Sequence, residues 1–186
     1  MRVIGGISGG LVLKGPVDGS VRPTTERVRG AIFNILSGET YINKKILDLF
    51  SGTGSLGIEA LSRGASHCDF VEKNPKQLEI LKTNLGVTNF LECASLYRQD
   101  AFKFLENLEG PYNMILMDPP YKLTNLSSFM EYLSSNSQLF LAETIIVIGH
   151  SKRMPLDESY GTLSCIDSRN YGDNAIKLYG GSINII

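Results

Sequence analysis

The chain has 186 residues, 42% of them hydrophobic and 20% charged, and a formal net charge of -1. That composition excludes a disordered chain, and the length suits one domain, residues 1–186, whose core needs neither disulfides nor metal. Near-neutrality excludes a global basic field, so a nucleic-acid partner would have to be met by a local patch. Cys68, Cys93 and Cys165 are odd in number and widely spaced, which argues against a disulfide framework or zinc ribbon and fits a reducing cytoplasm. Met1 to Gly6 shows no apolar signal-peptide core, and Ile145 to Ile148 is too short to span a bilayer.

In chain order, Arg2 to Lys14 alternates short β-branched runs with the pairs Gly5-Gly6 and Gly9-Gly10. This predicts a small β-hairpin arm within residues 1–20. Thr24 or Thr25 can cap a helix with apolar positions Val28, Ile32, Ile35 and Leu36, ended by Gly38. Strands are then predicted at Lys45 to Phe50, Cys68 to Glu72, Tyr97 to Gln99, Tyr112 to Asp118 and Thr144 to Gly149. Helices alternate with them at Leu56 to Arg63, Pro75 to Leu85, Ala101 to Leu108 and Leu126 to Ser134. Leu163 to Ser168 and Ala175 to Tyr179 read as two more strands joined by the turn Tyr171-Gly172-Asp173-Asn174. The expected fold is α/β: a doubly wound, mainly parallel seven-stranded sheet of Rossmann-like type, closed by an antiparallel hairpin.

Two segments carry chemistry. Gly52 to Gly57 satisfies G-x-G-x-x-G between a buried strand and a helix, and Glu72 follows about 20 residues later. Such a turn suits any nucleoside cofactor, because small residues admit its backbone and a helix N-terminus favours negative groups. Asp48, just ahead of the turn, would repel a pyrophosphate and attract an ammonium. A methionine-bearing nucleoside is thus favoured over a nicotinamide dinucleotide, although a tight turn with no ligand gives the same letters.

The second segment, Asp118-Pro119-Pro120-Tyr121, follows the fourth strand at the carboxyl edge of the sheet. An exocyclic amine on a base is a poor nucleophile, since its lone pair is delocalised into the ring. The Asp118 carboxylate and the Pro119 carbonyl are acceptors for its N–H groups, consecutive prolines fix their direction, and the Tyr121 ring can stack on a base. A proline-stopped strand end is the plainer reading of the same residues.

Together these segments resemble class I amino-methyltransferases. Arg22-Pro23-Thr24-Thr25-Glu26-Arg27-Val28-Arg29, Leu47 to Gly54 with Gly57-Ile58-Glu59-Ala60, Asp118 to Tyr121 and Tyr171 to Ala175 more narrowly resemble the RsmD family, the bacterial 16S ribosomal RNA guanine-N2 methyltransferases. The resemblance covers nearly the whole chain. It implies S-adenosylmethionine as cofactor, held by Asp48, Ser51, Gly52, Gly54, Glu72, Lys73, Asp100 and Ala101. It also implies the small ribosomal subunit or its RNA as partner, a cytoplasmic monomer, and neither metal nor membrane. Asp100 has a plainer role as a helix cap. Among the basic residues of the first thirty, Arg22, Arg27 and Arg29 are candidates to meet RNA phosphates, or else form a solvated helix face. Two stretches, Ser8 to Leu11 and Val147 to Ser151, depart from the family pattern and bear on RNA recognition more than on chemistry. His150 reads as a solvated strand end, and neither it nor His67 has metal-ligand spacing. A DNA amino-methyltransferase and a non-catalytic cofactor-binding assembly factor share parts of the pattern.

Overall fold

A computed structural model describes residues 1–16, 26–36, 40–106, 110–120, 123, 125–136, 139–154 and 156–181. Its frame is an eight-stranded sheet of order β3-β2-β1-β4-β5-β8-β7-β6. The strands are β1 (Lys45–Leu49), β2 (His67–Val71), β3 (Ala94–Tyr97), β4 (Tyr112–Met117), β5 (Phe140–Ser151), β6 (Ser159–Tyr160), β7 (Leu163–Tyr171) and β8 (Asn174–Gly181). β1 to β5 pair in parallel, and β8, β7 and β6 close the sheet antiparallel. The expected seven strands become eight because two-residue β6, too short to leave a sequence signal, pairs with β7.

The central strands are apolar on both faces because both faces are covered. Ile46, Cys68, Phe70, Met114, Leu116 and Val147 point into one core with α1 (Glu26–Ile35), α2 (Ser55–Ser62) and α3 (Pro75–Thr88). Leu47, Leu49, Ile115, Met117, Ile146 and Ile148 point into the other, with α4 (Ala101–Glu106) and α5 (Leu126–Ser135). Strand order thus reverses between β1 and β4, and their carboxyl ends form the crevice where open α/β sheets bind ligands.

Three boundaries differ from expectation for identifiable reasons. Helix α3 runs through Gly86 to Thr88, because buried Asn84, Leu85 and Thr88 outweigh the roughly 1 kcal/mol a helical glycine costs. It stops at Asn89, which is left-handed with φ 60°. Strand β3 lies at Ala94–Tyr97 and not at Tyr97 to Gln99. Its place is set by pairing of Cys68 with Ala94 through Val71 with Tyr97, a long-range register invisible in weak strand formers. Strand β5 begins at Phe140, four residues early, across an irregularity in its pairing with β4.

The N-terminal arm is a short antiparallel pairing centred on the Arg2–Val12 bridge, with backbone hydrogen bonds from Val3 to Leu11, Gly10 to Val3 and Leu13 to Met1, and it does not project. Val3 and Leu13 are buried in the core. The Ile4 and Gly5 N–H groups donate to Glu59 of α2 at 2.8 and 2.9 Å, and Lys14 exchanges backbone hydrogen bonds with the Asn84 side chain. Gly6 is glycine by necessity: its φ is +78°, and an added Cβ would stand 1.8 Å from the Ser62 carbonyl oxygen. Of its large apolar side chains, Ile7 and Val12 stand furthest out, at 86% and 70% exposure.

Arg29 was expected at an RNA-facing surface; it is fully buried. Its guanidinium donates to the Arg2 carbonyl and lies 3.5 Å from Glu59, which also accepts from Arg63 at 2.8 Å. It therefore joins α1, α2 and the arm. Arg27, two residues earlier, is exposed; Arg22, Thr24, Thr25 and Gly38 lie outside the described residues. His150 is not a solvated strand end. It is 7% exposed, its Nδ1 lies 3.0 Å from the Ser151 and Met154 carbonyls, and burial lowers its pKa.

Candidate active site

The site begins with strand register. Leu49 of β1 pairs with Met117 of β4, so Phe50 and Asp118 leave the sheet side by side. Leu49 also pairs with Val71 of β2, which brings Glu72 to the same edge. Phe50, Gly52 and Gly54 all take positive φ, at 60°, 54° and 84°, and this folds the chain sharply back into α2. The Ser51 N–H donates to the Val71 carbonyl, and the Gly52 N–H to Glu72 Oε2 at 2.9 Å. Glu72 Oε1 accepts from the Asn74 N–H at 2.7 Å. Each Glu72 oxygen keeps a lone pair for a hydroxyl donor.

A cavity of about 220 Å³ opens at this edge, lined by Phe50, Gly52, Val71, Glu72, Lys73, Asn74, Gln77, Gln99, Asp100, Ala101, Asp118 and Pro120. A smaller one of about 50 Å³ shares Phe50, Gly52, Gln77 and Asp118 and adds Asp48 and Ser51. The two sequence segments thus meet in one cleft. Gly54 lines neither cavity. Its missing Cβ makes room for Leu81, whose Cδ1 would stand 2.1 Å away, so its glycine serves helix packing.

Asp48 is 1% exposed and accepts the Gly57 N–H at 2.9 Å. Burial pushes its carboxyl up to about 8; the Gly57 N–H opposes this, and the Asp118 and Glu72 charges add to it. The Lys73 ammonium lies 3.5 Å from Asp100, and Glu72 and Asp118 line the same cleft. Such a cleft repels a pyrophosphate and attracts a cation. Asp100 also caps α4, accepting the Phe102 N–H at 3.1 Å while lining the cleft.

Several site residues escape sequence reasoning. Gln77, on the first turn of α3, is 4% exposed, lines both cavities, and its Oε1 has no hydrogen-bond partner. An orphaned buried acceptor beside three carboxylates fits a ligand with hydroxyl and ammonium donors. Phe50 and Val71 add apolar wall, which suits a purine. Gly149 of β5 faces Asp118: an added Cβ would stand 3.1 Å from Asp118 Oδ1. The departure at Gly149 thus lies against Asp118. Pro119 is buried and Pro120 exposed, while Tyr121 lies outside the described residues. Among the described residues there is no cluster of His, Cys, Asp and Glu suited to a metal, and no helix long and apolar enough to cross a membrane.

A sequence profile described as Conserved hypothetical protein 95 matches residues 1–180. The chain is 37% identical over 182 residues to YlbH of Bacillus subtilis (strain 168), provisionally named an rRNA methyltransferase, covering 96% of this chain and 98% of YlbH. This chain belongs to the RsmD family. Ribosomal RNA small subunit methyltransferase D of Escherichia coli (strain K12) is 34% identical over 139 residues, 75% of this chain and 69% of that protein. A solved Escherichia coli structure, yhhF, provisionally called a methyltransferase, superposes with a TM-score of 0.83 at 31% identity and covers 97% of both chains. The fold of this RsmD-family chain is that of class I methyltransferases.

Proposed function

We propose that this protein transfers a methyl group from S-adenosylmethionine to the exocyclic N2 amine of a guanine in small-subunit ribosomal RNA, acting as a cytoplasmic monomer. The observation that carries the reading is the convergence of Asp118 with Gly52, Glu72 and Asp100 on one cleft. The names of the family relatives support the RNA substrate. S-adenosylmethionine supplies a methyl group already activated on a sulfonium.

The chain's own residues do the rest. Asp48 and Gln77 offer acceptors to cationic and hydroxyl donors, Glu72 takes a ribose hydroxyl, and the slot between Val71 and Ala101 takes the adenine beside Asp100. Asp118 and the Pro119 carbonyl accept the two amine N–H groups and turn the nitrogen lone pair toward the methyl. The carboxylate then stabilises the positive charge that develops on nitrogen, and the N–H proton leaves along its hydrogen bond to Asp118 and on to solvent as the neutral methylated amine forms. The Tyr121 ring stacks on the base.

Calorimetry with S-adenosylmethionine, S-adenosylhomocysteine and NAD tests the cofactor. Both adenosyl ligands are expected to bind and NAD is not; NAD binding with no response to either adenosyl ligand would overturn the proposal. The same titrations test Asp48. Its carboxyl titrates near 8, well above the ordinary 3.8, so below pH 8 it holds a proton before binding. A cationic ligand favours the carboxylate and expels that proton. Affinity should therefore rise about tenfold per pH unit from about pH 6 toward 8, then stop rising. Asp48→Asn should bind more weakly at pH 8 and lose the slope. An unchanged slope in that variant would assign the titration to another group.

A further inference from the structure

The turn Tyr171-Gly172-Asp173-Asn174 has no part in the cleft, yet it stands on the same edge of the sheet. Asn174 of β8 pairs with Ser151 at the carboxyl end of β5, and Tyr171 of β7 pairs with Asn174. Between this turn and the first turn of α1 runs a groove of about 430 Å³, lined by Arg27, Val28, Asn170, Tyr171, Gly172, Asp173 and Asn174. We propose that this groove binds a nucleotide of the RNA strand beside the target base, with Arg27 on its phosphate and the turn's amide and carboxylate side chains on its base edge. The inference rests on the RNA-methyltransferase reading and names where the strand continues.

Three observations carry it. The first is distance: β8 and β7 lie two and three strands from β4, so the groove begins about 10–15 Å from Asp118. Nucleotides flanking a splayed-out base reach that far. The second is chemistry. Arg27 is the exposed cation of α1's first turn, and a guanidinium matches phosphate geometry bidentately. Asn170 is exposed and Asn174 half-exposed; their amides both donate and accept, and exposed Asp173 accepts from base amino groups while repelling phosphate. The groove thus has a phosphate side on α1 and a base side on the hairpin.

The third is rigidity. Gly172, with φ +62°, takes the first central position of a two-residue hairpin turn, which is all that the turn requires of its sequence. The Lys152 N–H also donates to the Asp173 carbonyl at 3.0 Å, tying the turn to the segment after β5. Side chains on so fixed a turn need little ordering on binding.

The test uses the full chain and unmethylated small ribosomal subunits. Arg27→Glu and Asn170→Ala both alter exposed side chains; thermal melts and S-adenosylhomocysteine calorimetry check fold and cofactor site. Each is expected to raise KM for the RNA, Arg27→Glu by about tenfold or more, with parental cofactor affinity. Arg27→Glu should also lower the slope of log affinity against log salt by about one. Asn170→Ala should raise KM without changing that slope, since it meets a base. Folded variants with parental KM and salt slope would overturn the groove while leaving the methyltransferase reading intact. A parent that binds cofactor but neither binds nor methylates the subunits would overturn both.

Discussion

Replacing Asp118 by alanine is expected to lower single-turnover methyl transfer about a hundredfold to a thousandfold while leaving the fold and most cofactor affinity in place. The amine becomes cationic only as the methyl arrives, so the carboxylate matters most in the transition state. Asp118 emerges beside Phe50 with Gly149 packed against its Oδ1, so it is aimed by backbone register and by the space a glycine leaves. Asp118→Asn should fall between alanine and the parent, because an amide oxygen accepts a hydrogen bond without the charge. Gly149→Ala should also slow transfer, by pressing a methyl against the carboxylate. The measurement is transfer from labelled cofactor into unmethylated small subunits under single-turnover conditions, with melts as the folding control. A folded Asp118→Ala protein that transfers methyl at near-parental rate would reduce Asp118-Pro119-Pro120 to a strand end.

The largest expected loss of stability lies at Glu59. Its carboxylate, 1% exposed, accepts from the Ile4 and Gly5 N–H groups and from Arg63, and it is the counter-charge of fully buried Arg29. Glu59→Ala leaves that guanidinium buried without compensation and should cost about 3–5 kcal/mol in denaturant unfolding. Arg29→Met alone should also destabilise. Adding Arg29→Met to Glu59→Ala should cost less than the two single effects summed, because the second substitution removes the charge that the first left stranded. Hydrogen exchange at Ile4 and Gly5 should accelerate in Glu59→Ala, because both amides lose their acceptor. Purely additive losses would mean that the two side chains act separately and that the arm is held by Val3 and Leu13.

The sequence by itself determined the alternation of strand and helix, the glycine turn after β1, and Asp118-Pro119-Pro120 after β4. These signals are local: apolar runs of strand length, a turn that needs small residues, and prolines that stop a strand. Spacing also says that Arg27 and Arg29, two residues apart on a helix, do not share a face, but not which of them is buried. What the tertiary structure alone decided was everything set by pairing between distant segments. The place of β3 follows from its register on β2, and the length of β5 from its partners on either side. Gln77 and Gly149 joined the site because α3 and β5 pack there, and no spacing in the sequence connects either to Asp48 or Asp118. Gly54 gave its space to Leu81 for the same reason. A residue's type and neighbours limit what it can do. Which group stands across from it is fixed only when the chain folds back over itself, and that decides whether an arginine is a phosphate ligand or the buried partner of a glutamate.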